Sequence, residues 1–223
     1  MSFRFILLFF LALNGFTILS LAQEIKIVDK PIIYDSTRIR LSLQYLKERH
    51  GIEQKTPTIR PKIIVLHWTA AKTFSSTFNA FNPAKLSNGD RKDIAQVSSL
   101  NTSSQYMIDR DGTIYRLMPD NYFARHVIGL NYCAIGVENV GSAEFPLTDA
   151  QLKANIELVR YLHKKYNIEY LIGHYEYTKF KNTPLWKETN PKYQTGKSDP
   201  GADFMLKVRN SVKDLNLKGV PMN

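Results

Sequence analysis

The chain reads as an α/β domain, because segments of β type and segments of helix type alternate along it. Three stretches carry that expectation. Lys62-Ile-Ile-Val-Leu-His67 is a near-continuous branched run, Gln105–Asp109 and Thr113–Leu117 flank an Asp-Gly turn, and Thr148-Asp-Ala-Gln151 opens an amphipathic helix that leads into a second apolar strand. A run without polar alternation marks a central strand, since only a sheet covered on both faces buries every side chain. These signals do not give the strand order.

The elements follow in order. Residues 1–22 form a secretory signal peptide: Phe5 to Leu13 is wholly apolar, Asn14, Gly15 and Thr17 interrupt it too early for a transmembrane span, and Ser20-Leu21-Ala22 supplies a small-residue cleavage site. Residues 23–60 form a helical extension and linker. Within it Ser36–His50 places Ile39, Leu41, Leu43 and Leu46 at roughly helical spacing, Gly51 stops the helix, and the Pro-containing stretch Thr56–Pro61 follows. The strand ending at His67 comes next. Phe74, Phe78 and Phe81 recur at helical intervals, and 82–104 reads as a polar surface loop with a turn at Asn88-Gly89-Asp90.

Arg110-Asp111-Gly112 predicts a tight hairpin, the glycine accepting a positive backbone angle. Cys133–Val140 is a further strand. The Thr148–Gln151 capping box opens a helix to about Tyr166, with Leu152, Ile156, Val159 and Leu162 on one stripe and Lys153, Arg160, Lys164 and Lys165 toward water. Glu169–Gly173 is a strand ending at His174. A long basic loop then runs through Lys197-Ser-Asp-Pro-Gly201 before a closing helix from Ala202 to about Val212.

Composition narrows the class. The chain has 223 residues with 43% hydrophobic content, which is enough for one core. Its one cysteine, Cys133, excludes an internal disulfide, so an exported chain of this kind relies on packing, alone or together with a metal. The formal charge of +10 includes one unit from Arg4 in the leader. Export turns that basic surface away from nucleic acid and toward anionic cell-wall polymer or a membrane surface, or leaves it as a solvated face.

His67 and His174 each end an apolar strand, where a side chain reaches a cleft at the sheet edge. Neutral imidazoles so placed are natural zinc ligands, although hydrogen-bonded core histidines have the same local pattern. The surrounding words give a stronger signal. Ile64-Val-Leu-His-Trp-Thr69, Ser103-Ser-Gln-Tyr-Met-Ile-Asp-Arg-Asp-Gly-Thr-Ile114, Ala134-Ile-Gly-Val-Glu138, Ile172-Gly-His174 and Lys197-Ser-Asp-Pro-Gly201 occur in this order. Together they resemble the type 2 N-acetylmuramoyl-L-alanine amidases, a family that shares its fold with the animal peptidoglycan recognition proteins.

The resemblance implies a mixed central β-sheet flanked by helices, with a zinc cleft near the strand ends, over residues 61–223. It implies that His67, His174 and Asp199 hold Zn2+, that Glu138 is the catalytic acid and base, and that Lys197 stabilises an oxyanion. It assigns His126 and Asn131 to the substrate cleft. Arg125-His126-Val127 departs from the usual aromatic-His-small sequence, and Gln105 stands where a histidine is common. Gly136, two positions before Glu138 on the same strand face, reads as open room beside the carboxylate.

Plainer accounts exist for each residue: a turn for Asp199, a salt bridge for Glu138, a solvated loop cation for Lys197. A thiol hydrolase built on Cys133 and His126 is the weaker reading, because an unpaired cysteine is usually a small buried apolar residue. His50 and His163 read as surface positions. The expected protein is a monomer secreted or delivered to the periplasm. Its partner is peptidoglycan or muropeptide, and it has no nucleic acid partner and no stable membrane insertion after leader cleavage. A zinc amidase, a non-cleaving recognition module and a purely electrostatic binder of anionic polymer are the competing functions. The complete metal and acid set favours the first.

Overall fold

A computed structural model describes residues 25–86 and 92–221, with the side chains of 92 and 93 left out. The leader and the turn at 88–90 lie outside the described residues. The elements are β1 (Ile27–Asp29), α1 (Ser36–His50), β2 (Ile63–Trp68), α2 (Phe74–Phe81), α3 (Lys92–Ala95), β3 (Tyr106–Ile108), β4 (Ile114–Arg116), β5 (Ala134–Asn139), α4 (Asp149–Lys165), β6 (Tyr170–Gly173) and α5 (Ala202–Ser211). Short 3-10 helices span His174–Phe180 and Lys213–Leu215.

The strands form one mixed six-stranded sheet in the order β1-β4-β3-β5-β2-β6. β3, β5, β2 and β6 run parallel, while β4 is antiparallel to β3 across the expected hairpin. Gly112 takes φ of 87° in that turn, and a Cβ there would also lie 2.9 Å from the Ala150 carbonyl oxygen. β2 is buried through its first five residues, as its branched run predicts. Ile63 and Val65 enter one cluster with Tyr177 and Phe180, whereas Ile64 and Leu66 pack with Leu158 and Leu162 of α4 and Met205 and Val208 of α5. His67 continues the first of these two faces by strand alternation.

Three local expectations change. The loop 82–104 contains α3, and its Asn101–Ser104 end is largely buried: Asn101 Nδ2 donates to the Ala80 and Pro83 carbonyls at 2.7 and 2.9 Å, replacing water. In α4 the buried face is Gln151, Ala154, Asn155, Leu158, Val159 and Leu162, with Leu152 and Ile156 only partly covered. Two polar residues lie inside that face because they bond to the sheet: Gln151 Nε2 donates to the Ile108 and Val140 carbonyls, and Asn155 Nδ2 to Asn139 Oδ1 at 2.7 Å. In α1, Ile39 is exposed and Arg38 is buried, because its guanidinium donates to the carbonyls of Ile33, Phe81, Asn82 and Pro83.

The terminal signals hold. Thr148 and Gln151 form the reciprocal capping box, and Gly51 ends α1 in the left-handed conformation. No helix among the described residues is long and apolar enough to cross a membrane.

Candidate functional site

Parallel strands carry their last residues to a common edge, and open α/β sheets present their ligand crevices there. β2 delivers His67 and β5 delivers Glu138 in direct register, and His174 follows β6 at once. Asp199 comes from the loop before α5, its carbonyl accepting the Tyr175 N–H at 3.1 Å. All four side chains are buried and line one cleft of about 400 Å³ together with His126, Asn131 and Lys197. The structure thus brings together every site residue that the resemblance nominated.

His67 Nδ1, His174 Nδ1 and Asp199 Oδ2 form a tight triangle. The two ring nitrogens are 3.0 Å apart, and the carboxylate oxygen lies 3.0 Å from His174 and 3.2 Å from His67. Among the described residues these three offer ligand atoms within 4.8 Å of one another. A tetrahedral zinc with donors at about 2.0–2.1 Å has donor–donor edges of about 3.3–3.4 Å, so the triangle is close to one face of such a site.

The protonation states of His174 and Asp199 agree with that use. Burial, with His67 adding to it, pushes the His174 imidazole down to about 4, which keeps the ring neutral. Burial opposes the charge on Asp199, but contacts with His174 and His67 outweigh it and hold the carboxyl well below the usual carboxylate range. A neutral imidazole and an ionised carboxylate are the forms in which His174 and Asp199 would ligate a metal.

A second layer orients His67. His126 Nε2 lies 3.2 Å from the Ala134 carbonyl, an acceptor only, so this nitrogen donates and leaves Nδ1 as an acceptor. His67 Nε2 lies 3.0 Å from that Nδ1 and donates to it, which turns the lone pair of His67 Nδ1 toward the triangle. Burial first, and the nearby His67 second, hold the His126 imidazole well below its ordinary value. The space that Gly136 leaves is used here: a Cβ on Gly136 would sit 2.8 Å from His126 Cγ. The glycine makes room for this ring and not for open space beside Glu138.

Asn131 lines the cleft as expected, and its Oδ1 also accepts the backbone N–H groups of His126 and Val127 at 2.9 and 2.8 Å. It therefore fixes the turn that carries His126. Gln105 has a similar supporting task, accepting the Gly136 N–H at 2.7 Å and donating to the Tyr122 carbonyl at 2.8 Å. Asn139 Nδ2 donates to the His67 carbonyl at 3.0 Å, a contact that sequence reasoning missed. Its one signal was the pair of polar residues, Gln151 and Asn155, on the buried face of α4.

Cys133 is buried, with its thiol pushed up to about 12 by burial, so it is a packing residue. His50 is buried as well, against expectation: its Nδ1 donates to the Lys187 carbonyl at 2.9 Å amid Tyr45, Phe123 and Tyr132. His163 is half-buried.

Comparison with known proteins places the chain in a family and a fold. Residues 57–202 match the model of a family described as N-acetylmuramoyl-L-alanine amidase. No curated protein sequence matches. Among solved structures, the chain is similar to bumblebee PGRP-SA, with 16% identity, 89% of this chain and 99% of that one covered, and a TM-score of 0.50. It is also similar to the amidase LysC of Clostridium intestinale URNW, with 22% identity, 86% and 99% covered, and a TM-score of 0.49. At 16% identity the likeness to PGRP-SA concerns the fold.

Proposed function

The chain belongs to the N-acetylmuramoyl-L-alanine amidase family, and from that premise we propose that it hydrolyses the amide between N-acetylmuramic acid and the L-alanine of the stem peptide, with Zn2+ held by His67, His174 and Asp199. The observation that carries the proposal is the triangle of donor atoms with sides of 3.0–3.2 Å on the wall of the cleft. When bound, zinc supplies Lewis acidity toward the scissile carbonyl and lowers the pKa of water to about 7.

The chain's own residues do the rest. His126 accepts the His67 Nε2 proton and so holds the ligand edge of His67 in one orientation. Glu138, the register partner of His67, takes the proton of the attacking water and passes it to the departing alanine nitrogen. That transfer is necessary because an amide nitrogen leaves only when protonated. Lys197 brings a cation to the same cleft, where charge develops on the carbonyl oxygen during attack.

Action outside the cytoplasm follows from the substrate, and we assign residues 1–22 to a cleavable leader. Residues 61–223 are the proposed zinc amidase domain, with 23–60 as its helical extension. Turnover on a purified muropeptide, measured before chelation, after it and after zinc is restored, tests the proposal. Activity that disappears and returns supports it. A protein that binds the muropeptide in every state and never cleaves it is a recognition module instead.

A further inference from the structure

The family match begins at residue 57, yet α1, which lies wholly before it, reaches the cleft. Its Tyr45 lines the cleft directly. Its last turn grips residues 187–193. Arg49 pairs with Glu188, whose side chain is fully covered, and the guanidinium carbon stands 5.1 Å from the centre of the Tyr193 ring.

The backbone carbonyls at the end of α1, which have no partners inside a helix, are used in the same way. The Arg49 carbonyl accepts the Thr189 N–H at 3.0 Å, and the Glu48 carbonyl accepts the Thr189 hydroxyl at 2.8 Å. The His50 imidazole bonds the Lys187 carbonyl at 2.9 Å. Within the loop, Glu188 Oε1 accepts the Asn190 N–H at 2.9 Å and the Asn190 carbonyl accepts the Tyr193 N–H at 3.0 Å. The segment held by these bonds runs on to Tyr193, Thr195 and Lys197 of the cleft wall and then to Asp199.

We propose that α1 is a positioning element of the substrate cleft: Arg49 and Glu188 lock residues 187–193 to the helix and so set where Tyr193 and Lys197 stand against the muropeptide. The proposal rests on the peptidoglycan reading above. A staple for stability alone is a poor account of the pair, because desolvation cancels most of what a buried ion pair gains. Its geometry instead fixes the middle of a loop whose flanks are held elsewhere, Lys187 N–H by the Gly129 carbonyl at 3.0 Å and Thr195 by the Tyr177 hydroxyl at 2.8 Å.

The test uses the full chain carrying E188Q, R49M or R49K, with zinc content, thermal unfolding, hydrogen exchange over 187–195, and KM and kcat on a purified muropeptide well below the unfolding temperature. E188Q and R49M keep zinc, exchange faster over 187–195, raise KM and lower kcat/KM by about 10-fold or more. R49K, which retains the charge, falls between them and the parental protein. If E188Q does not fold, T189V removes a single bond at the exposed edge of the loop and carries the same comparison. Folded variants with parental KM and kcat/KM, beside a parental protein that cleaves, overturn the positioning role alone. A zinc-loaded parental protein that neither binds nor cleaves the muropeptide overturns the functional reading and this role with it.

Discussion

His67 Nε2 stands 3.0 Å from His126 Nδ1, and through that contact the His67 ring is tied to the Ala134 carbonyl at the start of the neighbouring strand. Replacing His126 by alanine removes the acceptor and frees the His67 ring to rotate. Zinc affinity of H126A, measured by competition with a chelator, is expected to fall by about 10- to 100-fold while the fold persists. Parental affinity contradicts the orienting role.

Gly136 bears on the same contact from the other side. In G136A the new methyl would lie 2.8 Å from His126 Cγ and 2.9 Å from its Nδ1, so the ring must shift. The expected cost is about 1–3 kcal/mol of stability in a denaturant titration. Zinc affinity should move in the same direction as in H126A. A variant with parental stability and affinity would show that the ring has room to spare.

On the proposed mechanism, Glu138 and Lys197 are separable from metal binding. E138Q keeps zinc and muropeptide affinity and loses about 100- to 10,000-fold in turnover. K197A also keeps zinc and loses about 100-fold or more. Parental turnover in E138Q removes the residue from the mechanism.

His50 makes stability depend on pH. Burial lowers its pKa from 6.5 to about 4, so between those values the unfolded chain binds a proton that the native chain does not. Stability therefore rises with pH through this window, and His50's contribution is present above about 6.5 and lost as pH falls toward 4. The contribution is up to about 3 kcal/mol. Urea unfolding at about pH 4.5, inside the window, and about pH 7, above it, should differ less for H50Q than for the parental protein. An equal difference would place the pH dependence elsewhere.

What the sequence disclosed depended on how far each signal reaches. The Thr148–Gln151 box, the Asp111-Gly112 turn and the branched run into His67 are decided within a few residues, and the structure has all three. β1 has only three residues and exists as a strand through its parallel pairing with β4, so Ile27–Asp29 carries no local pattern. His50 sits among charged neighbours and reads as exposed, but Phe123, Tyr132 and the Lys187 carbonyl reach it from far along the chain. The zinc-site candidates were legible because whole words surround them. The second layer, His126 on Ala134 and Asn139 on His67, was not, since those bonds join separate strands and loops.

Chemical identification of the bond that is cut is the most direct test of the central claim. A purified disaccharide muropeptide is incubated with the zinc-loaded protein and the products are analysed by mass spectrometry. The expected products are the intact disaccharide with its free lactyl carboxylate and a stem peptide with a free L-alanine amino terminus. Substrate left intact, or fragments from cleavage within the sugar or within the peptide, would contradict the account.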